Sequence, residues 1–271
     1  MKAVITGGAG FIGQKLAAAL LDQGHGVTAI DPLTPQIHGM LPSLDLPSGL
    51  NLVRADIRDT EILGDHLEDA DVIYHLAAET GTGQSMYKMA QYVSVNDLGT
   101  AQMLEALARC TSRPRCIVLA SSRSVYGEGA YRTSDGTIVQ PDPRTPANLA
   151  NGHWEPHDET GTSLTPVATP EDLPYHPGSV YAATKAAPEL LLRSASMGVN
   201  AKTCIFRFQN VYGEGQSLQN PYTGIISIFF NRARQGLEIP LYEDGLPTRD
   251  FVHVDDIVAG LMAAHEADIE H

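Results

Sequence analysis

The stretch Thr6-Gly7-Gly8-Ala9-Gly10-Phe11-Ile12-Gly13 limits what this chain can fold into more than any other. It follows the short apolar run Lys2–Thr6 and opens an Ala/Leu-rich helix that ends near Gly24. Gly7, Gly10 and Gly13 stand three apart. In a strand–turn–helix unit the first permits a tight turn, the second lets backbone approach a pyrophosphate, and the third lets helix and strand pack closely. Free N–H groups at the helix start then attract phosphate oxygens. A glycine pattern alone also fits ordinary turn chemistry, so the context has to decide.

The context is strand alternating with helix. After Gly26–Ile30 come apolar segments at Asn51–Ala55 and Asp71–Leu76, a helical spacing over about 90–109, and a further strand at Cys116–Ala120. The run Cys116-Ile117-Val118-Leu119 does not alternate with polar residues, as a parallel strand buried on both faces requires. Helical pattern returns over Ser179–Ser196, then a strand over Lys202–Phe208, and short helices and loops from Asn210 onward. The expectation is an α/β fold, a Rossmann-type doubly wound parallel sheet with a smaller C-terminal substrate lobe. Residues 1–209 make the dinucleotide domain, and 210–271 make a lobe whose 249–267 segment packs back on the core.

Between Glu128 and Pro177 the character changes. Eight of the chain's 17 prolines fall there, among Gly, Thr, Asn and Asp, so this insertion of about 128–177 reads as loop.

Asp31 ends the second strand, where a carboxylate accepts hydrogen bonds from an adenosine ribose and repels a 2′-phosphate. A turn residue before Pro32 would look the same taken singly. No Arg or Lys follows closely, which favours NAD over NADP. Asp56-Ile57, after the third strand, is the natural place for an adenine contact.

Tyr181 and Lys185 stand four apart at the start of a helix and so share a face. A Lys ammonium beside a phenol lowers the phenol's pKa, and such a tyrosine can take a hydroxyl proton while hydride leaves the same carbon. Taken singly, this spacing also fits two surface residues.

Composition closes other routes. The net charge of −14 argues against nucleic acid as a partner. No apolar run is long enough to span a bilayer. The N-terminus enters a strand and a glycine turn at once, so no signal peptide is read and a cytoplasmic location is expected. Cys110, Cys116 and Cys204 form no paired motif and read as buried thiols.

Taken in order, the glycine turn, His75-Leu76-Ala77-Ala78, Asn96, Ser121-Ser122, Val125-Tyr126-Gly127 and Tyr181-Ala182-Ala183-Thr184-Lys185 resemble the extended short-chain dehydrogenases. More narrowly they resemble the NAD-dependent nucleotide-sugar epimerase/dehydratase family, over essentially the whole chain. The resemblance implies Tyr181 as the proton-transferring phenol, Lys185 as its electrostatic partner and ribose ligand, and Ser122 as the hydroxyl that bonds the reacting sugar. It implies Gly7, Gly10, Phe11, Ile12, Gly13, Asp31, Asp56, Ile57, Leu76, Ala77, Ala78, Asn96, Tyr181 and Lys185 around the dinucleotide, with Asn96 in a supporting role. Thr82, Ser122, Arg123, Asn210 and Arg249 would face the substrate, Arg249 gripping phosphate unless it pairs with Asp250. Asn220 to Gly224 is a candidate wall for the nucleotide.

The family's 4,6-dehydratases carry Asp-Glu directly after the Ser/Thr, as acid and base for water loss. Arg123 and Ser124 stand there instead, so the resemblance points to epimerisation at C4 through a transient 4-keto sugar. The segments 79–87, 120–123 and 220–224 are most similar to 4-epimerases of dTDP-6-deoxyhexoses. A nucleotide-sugar 4-dehydrogenase or reductase, or a non-catalytic dinucleotide binder, are the alternatives. A homodimer and a nucleoside-diphosphate sugar as substrate are implied. Some relatives carry cysteines in the insertion; none occurs between Arg123 and Tyr181, so no metal is expected. Relatives continue past the DFVHVDD segment, so this chain is expected to lack part of the lobe and to leave apolar surface near Ile225–Phe230 partly uncovered.

Overall fold

The strand Lys2–Thr6 is buried from its second residue on because it lies at the centre of a sheet covered on both faces. The computed structural model describes residues 1–39, 45–217 and 224–266. In chain order the first elements are β1 (Lys2–Thr6), α1 (Phe11–Asp22), β2 (Gly26–Ile30), α2 (Pro35–His38), β3 (Asn51–Val53), α3 (Thr60–Leu67) and β4 (Val72–His75). Next come α4 (Thr82–Ser85), α5 (Met89–Tyr92), a π-helical turn (Val93–Leu98), α6 (Gly99–Arg109), β5 (Cys116–Ser122) and a 3-10 turn (Arg123–Tyr126). The insertion holds β6 (Tyr131–Arg132), β7 (Ile138–Val139), α7 (Pro146–Ala150) and β8 (Thr165–Pro166). The chain continues through α8 (Val180–Val199), β9 (Lys202–Phe208), β10 (Asn210–Tyr212), α9 (Ile225–Arg234), β11 (Phe251–His253) and α10 (Val254–Glu266).

The central sheet runs β3-β2-β1-β4-β5-β9 and every pairing in it is parallel. This is the doubly wound order, in which chain direction reverses between β1 and β4 and opens a crevice at the strands' carboxyl ends. Successive side chains leave a strand on opposite faces, so Val4 and Ile73 join one core while Ala3, Ile5, Val72 and Tyr74 join the other. Leu63, Leu67, Met103, Leu107 and Leu192 from α3, α6 and α8 cover the first face. Leu16, Leu20, Ile257, Val258 and Leu261 from α1 and α10 cover the second. Helix α10 thus packs on the second face of the sheet beside α1. All three cysteines are buried and free.

Three local differences from the sequence reading have physical causes. The helix expected over about 90–109 is broken by a π turn at Val93–Leu98, a wide turn of a kind found mostly at functional sites. The insertion expected to be loop contains a small antiparallel sheet in the order β7-β6-β8, whose strands are two residues each and too short to show a period. Beyond Asn210, where helices and loops were expected, β10 and β11 pair in parallel with Asn210 opposite Phe251. Ile225, Ile226 and Phe230 on α9 are exposed. Asn220 to Thr223 lie outside the described residues. Among the described residues no helix is long and apolar enough to cross a membrane.

Candidate active site

Gly7 takes φ +71°, and a Cβ there would stand 2.8 Å from the backbone N of Ala77. The glycine turn and the loop after β4 therefore touch directly, at the reversal point of the sheet. A Cβ on Gly13 would lie 2.6 Å from the Gly7 carbonyl, so the start of α1 also presses on the turn. Gly10 precedes α1 with no side-chain cap, leaving the first amides of Phe11, Ile12 and Gly13 to face the crevice. Asp31 is buried at the end of β2, accepting from Ala9 N at 3.2 Å and Leu33 N at 2.9 Å. Leu76, Ala77 and Ala78 line the carboxyl end of β4, half-buried, with Ala77 N donating to the Thr6 hydroxyl at 3.3 Å. An uncapped helix start, a glycine contact with no room for a side chain and a carboxylate one strand away fit a dinucleotide: phosphates at α1, ribose at Asp31.

Asp56 and Ile57 sit less simply. Both Asp56 oxygens accept from Arg58, at 2.8 and 2.7 Å, and this pairing holds the carboxyl below its usual range. Ile57 is buried against Gly99.

Across the crevice, β5 ends at Ser122 and α8 starts at Val180, capped by the Ser179 hydroxyl on Ala182 N at 3.1 Å. That cap fixes where the helix begins, and so puts Tyr181 and Lys185 on the face toward Ser122. Burial raises the pKa of Tyr181, while a hydrogen bond with Ser122 works the other way. The expected lowering of the phenol by Lys185 is thus not what the geometry gives. The Lys185 ammonium donates instead to the Ala120 carbonyl at 2.5 Å, and burial brings its own pKa down to about 8.

Of the side chains that support these groups, only Asn96 was expected from the sequence. Ser85 Oγ accepts from Tyr181 N at 3.0 Å and donates to the Thr82 carbonyl at 2.6 Å. Tyr92 OH donates to the Gly81 carbonyl at 3.0 Å, and its ring meets that of Tyr181 edge-on at 6.5 Å. Asn96 accepts from Glu79 N at 2.7 Å and donates to Thr184 Oγ1 at 3.0 Å. With its N–H groups given to protein, Asn96 holds the loop after β4 and donates to nothing in the crevice. Glu189, Arg207 and His75 also lie behind the site. A YxxxK pattern could have flagged Thr184, which sits within it; Ser85 and Tyr92 had no signal.

The remaining expected residues lie at the rim. Arg123 follows Ser122 directly, and its guanidinium is held down by burial and by the like charge of Arg249. Arg249 is exposed, donates to the Thr248 carbonyl at 2.7 Å and has no ion-pair partner among the described residues, so the Asp250 pairing does not form. Asn210 donates from both backbone N and side chain to the Asp250 carbonyl, at 3.1 and 2.9 Å, which ties the Arg249 segment to β10. Thr82 is exposed at the start of α4. Among the described residues no group of three His, Cys, Asp or Glu is placed to hold a metal.

Fold and site together define a dinucleotide-dependent enzyme scaffold of the Rossmann type. The chain belongs to the NAD dependent epimerase/dehydratase family, whose model matches residues 3–148 and 159–271. It is 42% identical over 265 residues to the dTDP-L-rhamnose 4-epimerase of Burkholderia thailandensis, covering 97% of this chain and 72% of that protein. Among solved structures it is similar to the UDP-glucuronic acid 4-epimerase of Bacillus cereus in complex with UDP-glucuronic acid and NAD. That match has a TM-score of 0.74 and 29% identity, covering 99% of this chain and 74% of the other. The UDP-glucose 4-epimerase of Thermus thermophilus in complex with NAD matches with a TM-score of 0.75 and 26% identity, over 98% of this chain and 75% of that one.

Proposed function

We propose that this chain is an NAD-dependent epimerase of a nucleotide-linked sugar that inverts C4 through a transient 4-keto sugar. The observation that carries the reading is the placing of Tyr181 and buried Lys185 on the first turns of α8, with Ser122 at the end of β5 and the Lys185 ammonium on the Ala120 carbonyl of that strand. Bound NAD supplies the reversible acceptance of hydride that such an inversion needs. Tyr181 takes the C4 hydroxyl proton and returns it once the ketone has presented its other face. Ser122 orients that hydroxyl, and Lys185 places a positive charge beside the developing oxyanion. Arg123 and Arg249 serve the substrate's anionic groups, with Asn210 fixing the Arg249 segment and Thr82 at the rim.

Arg123 and Ser124 cannot act as the acid–base pair that eliminates water, so dehydration is not part of this reading. Around the cofactor, Gly7, Gly10–Gly13, Asp31, Asp56, Ile57 and Leu76–Ala78 form the contact surface and Asn96 supports it. Residues 1–209 serve the dinucleotide and 210–271 the sugar. The 42% identity to a dTDP-L-rhamnose 4-epimerase supports a dTDP-6-deoxyhexose as substrate. A homodimer and a cytoplasmic location belong to the same reading. Exposed Met89, Val93, Leu190 and Met197 on neighbouring helices support the dimer, which light scattering tests.

The deciding experiment incubates the protein with dTDP-L-rhamnose, and separately with UDP-glucose, and follows the H4 coupling by NMR. Formation of the C4 epimer with no net change in NADH supports the reading. Stoichiometric NADH formation, or a 6-deoxy-4-keto product, overturns it.

A further inference from the structure

We propose that the ion pair of Glu189 and Arg207 is a positioning unit for the reacting groups: it clamps the Ser122 end of β5 to the Lys185 turn of α8 and sets the charge behind Lys185. This rests on the role given to Lys185 and Ser122 above. Glu189 is fully buried one helical turn beyond Lys185, on the same face of α8. Its carboxylate accepts from the hydroxyl of Ser121, the residue before Ser122. That hydroxyl also lies 3.4 Å from the Lys185 carbonyl, so strand end and helix turn meet at one side chain.

Arg207 stands on β9 directly opposite Ser121 in the sheet. It donates to Glu189 through Nε at 3.1 Å and Nη2 at 2.8 Å. Its Nη1 donates to Tyr126 OH at 2.6 Å and to the Glu171 carbonyl at 2.8 Å. Tyr175 OH reaches the same carboxylate at 2.9 Å, and the guanidinium lies over the Tyr126 and Tyr175 rings at 4.7 and 5.1 Å. One carboxylate therefore joins β5, α8, β9 and the end of the insertion.

A buried ion pair is weak evidence of a stability device, because desolvation offsets its attraction. Geometry and charge are what it supplies. The groups that face Lys185 are Asp97 on the π turn, His75 on β4, and Tyr181 and Glu189 on α8. Glu189 favours the charged ammonium against burial, and Arg207 in turn keeps the buried Glu189 carboxylate ionised. Arg207 therefore reaches Lys185 through Glu189, and both partners favour its charged form, which a purely structural pair does not do.

The test uses Glu189→Gln, which keeps the shape and removes the charge, Arg207→Gln, which removes the guanidinium, and the double variant. Lysine labelled with 13C at Cε reports the Lys185 titration directly, assigned with Lys185→Met, and needs no sugar. Glu189→Gln is expected to move that titration down by about one pH unit, Arg207→Gln down by less, and the double variant no further than Glu189→Gln. The alkaline limb of kcat/KM follows in the same directions, and kcat falls at least tenfold in Glu189→Gln with KM little changed. An unmoved Lys185 titration in Glu189→Gln, an upward shift in either single variant, or failure of all three to fold overturns the proposal. Because the titration is read without substrate, its failure is distinct from failure of the epimerase assignment.

Discussion

The side-chain amide of Asn96 donates to the hydroxyl of Thr184 at 3.0 Å, across 88 positions of sequence. Thr184 in turn donates to the Tyr181 carbonyl at 3.0 Å, so the π turn before α6 fixes the first turn of α8. Replacing Asn96 by Ala leaves Glu79 N without its acceptor and Thr184 without its donor. Stability is expected to fall by about 2 kcal/mol, with kcat reduced more than KM is raised. Denaturant melts and steady-state kinetics of Asn96→Ala check both; unchanged kcat would show that the tie does not reach Tyr181.

Tyr181→Phe removes one hydroxyl from the crevice and should leave the fold and NAD binding intact. Turnover is expected to drop by about two to four powers of ten, the usual worth of a positioned acid–base group. Lys185→Met should do similar damage and weaken NAD binding as well. Ser122→Ala should cost about tenfold, one hydrogen bond. Normal turnover in Tyr181→Phe, measured on a sugar the parent epimerises, would overturn the mechanism.

Asp31 presents a buried carboxylate where the adenosine ribose is expected, so a 2′-phosphate would meet a like charge in a poorly solvated place. NAD should bind at least a hundredfold more tightly than NADP. Titration calorimetry with both cofactors measures this, and Asp31→Asn should narrow the gap. Equal affinities in the parent protein would remove Asp31 from the ribose.

His75 lies between the Thr6 and Thr100 hydroxyls at 2.7 and 2.9 Å. Burial, with Lys185 adding a little, pushes its pKa down to about 3. Below pH 6.5 the unfolded chain binds a proton at this residue that the folded chain refuses. Its contribution to stability is therefore full above pH 6.5 and is lost as pH falls toward 3. The loss from pH 7 to pH 5 should be about 2 kcal/mol. Denaturant unfolding of His75→Asn and the parent at both pH values tests this: the variant should lose that part of the pH dependence. Equal slopes would mean that His75 accepts a proton in the folded state.

The architecture was legible in the sequence because its causes are local. A glycine turn between a strand and a helix, apolar runs of strand length and a capped helix at Ser179 depend on near neighbours, and they indicate the six-stranded parallel sheet and the crevice beside it. Motif spacing likewise singled out Asp31, Ser122, Tyr181 and Lys185 as candidates. Tertiary packing decided the rest. The pKa of Tyr181 moves up, not down, because burial outweighs the partners around it and Lys185 turns to Ala120. Apart from Asn96, the groups that hold the site, Ser85, Tyr92, Glu189 and Arg207, act through contacts that no local pattern announces. Hydrophobic period and turn chemistry are properties of neighbours in sequence, whereas desolvation and long-range hydrogen bonds exist only once distant segments have been brought together.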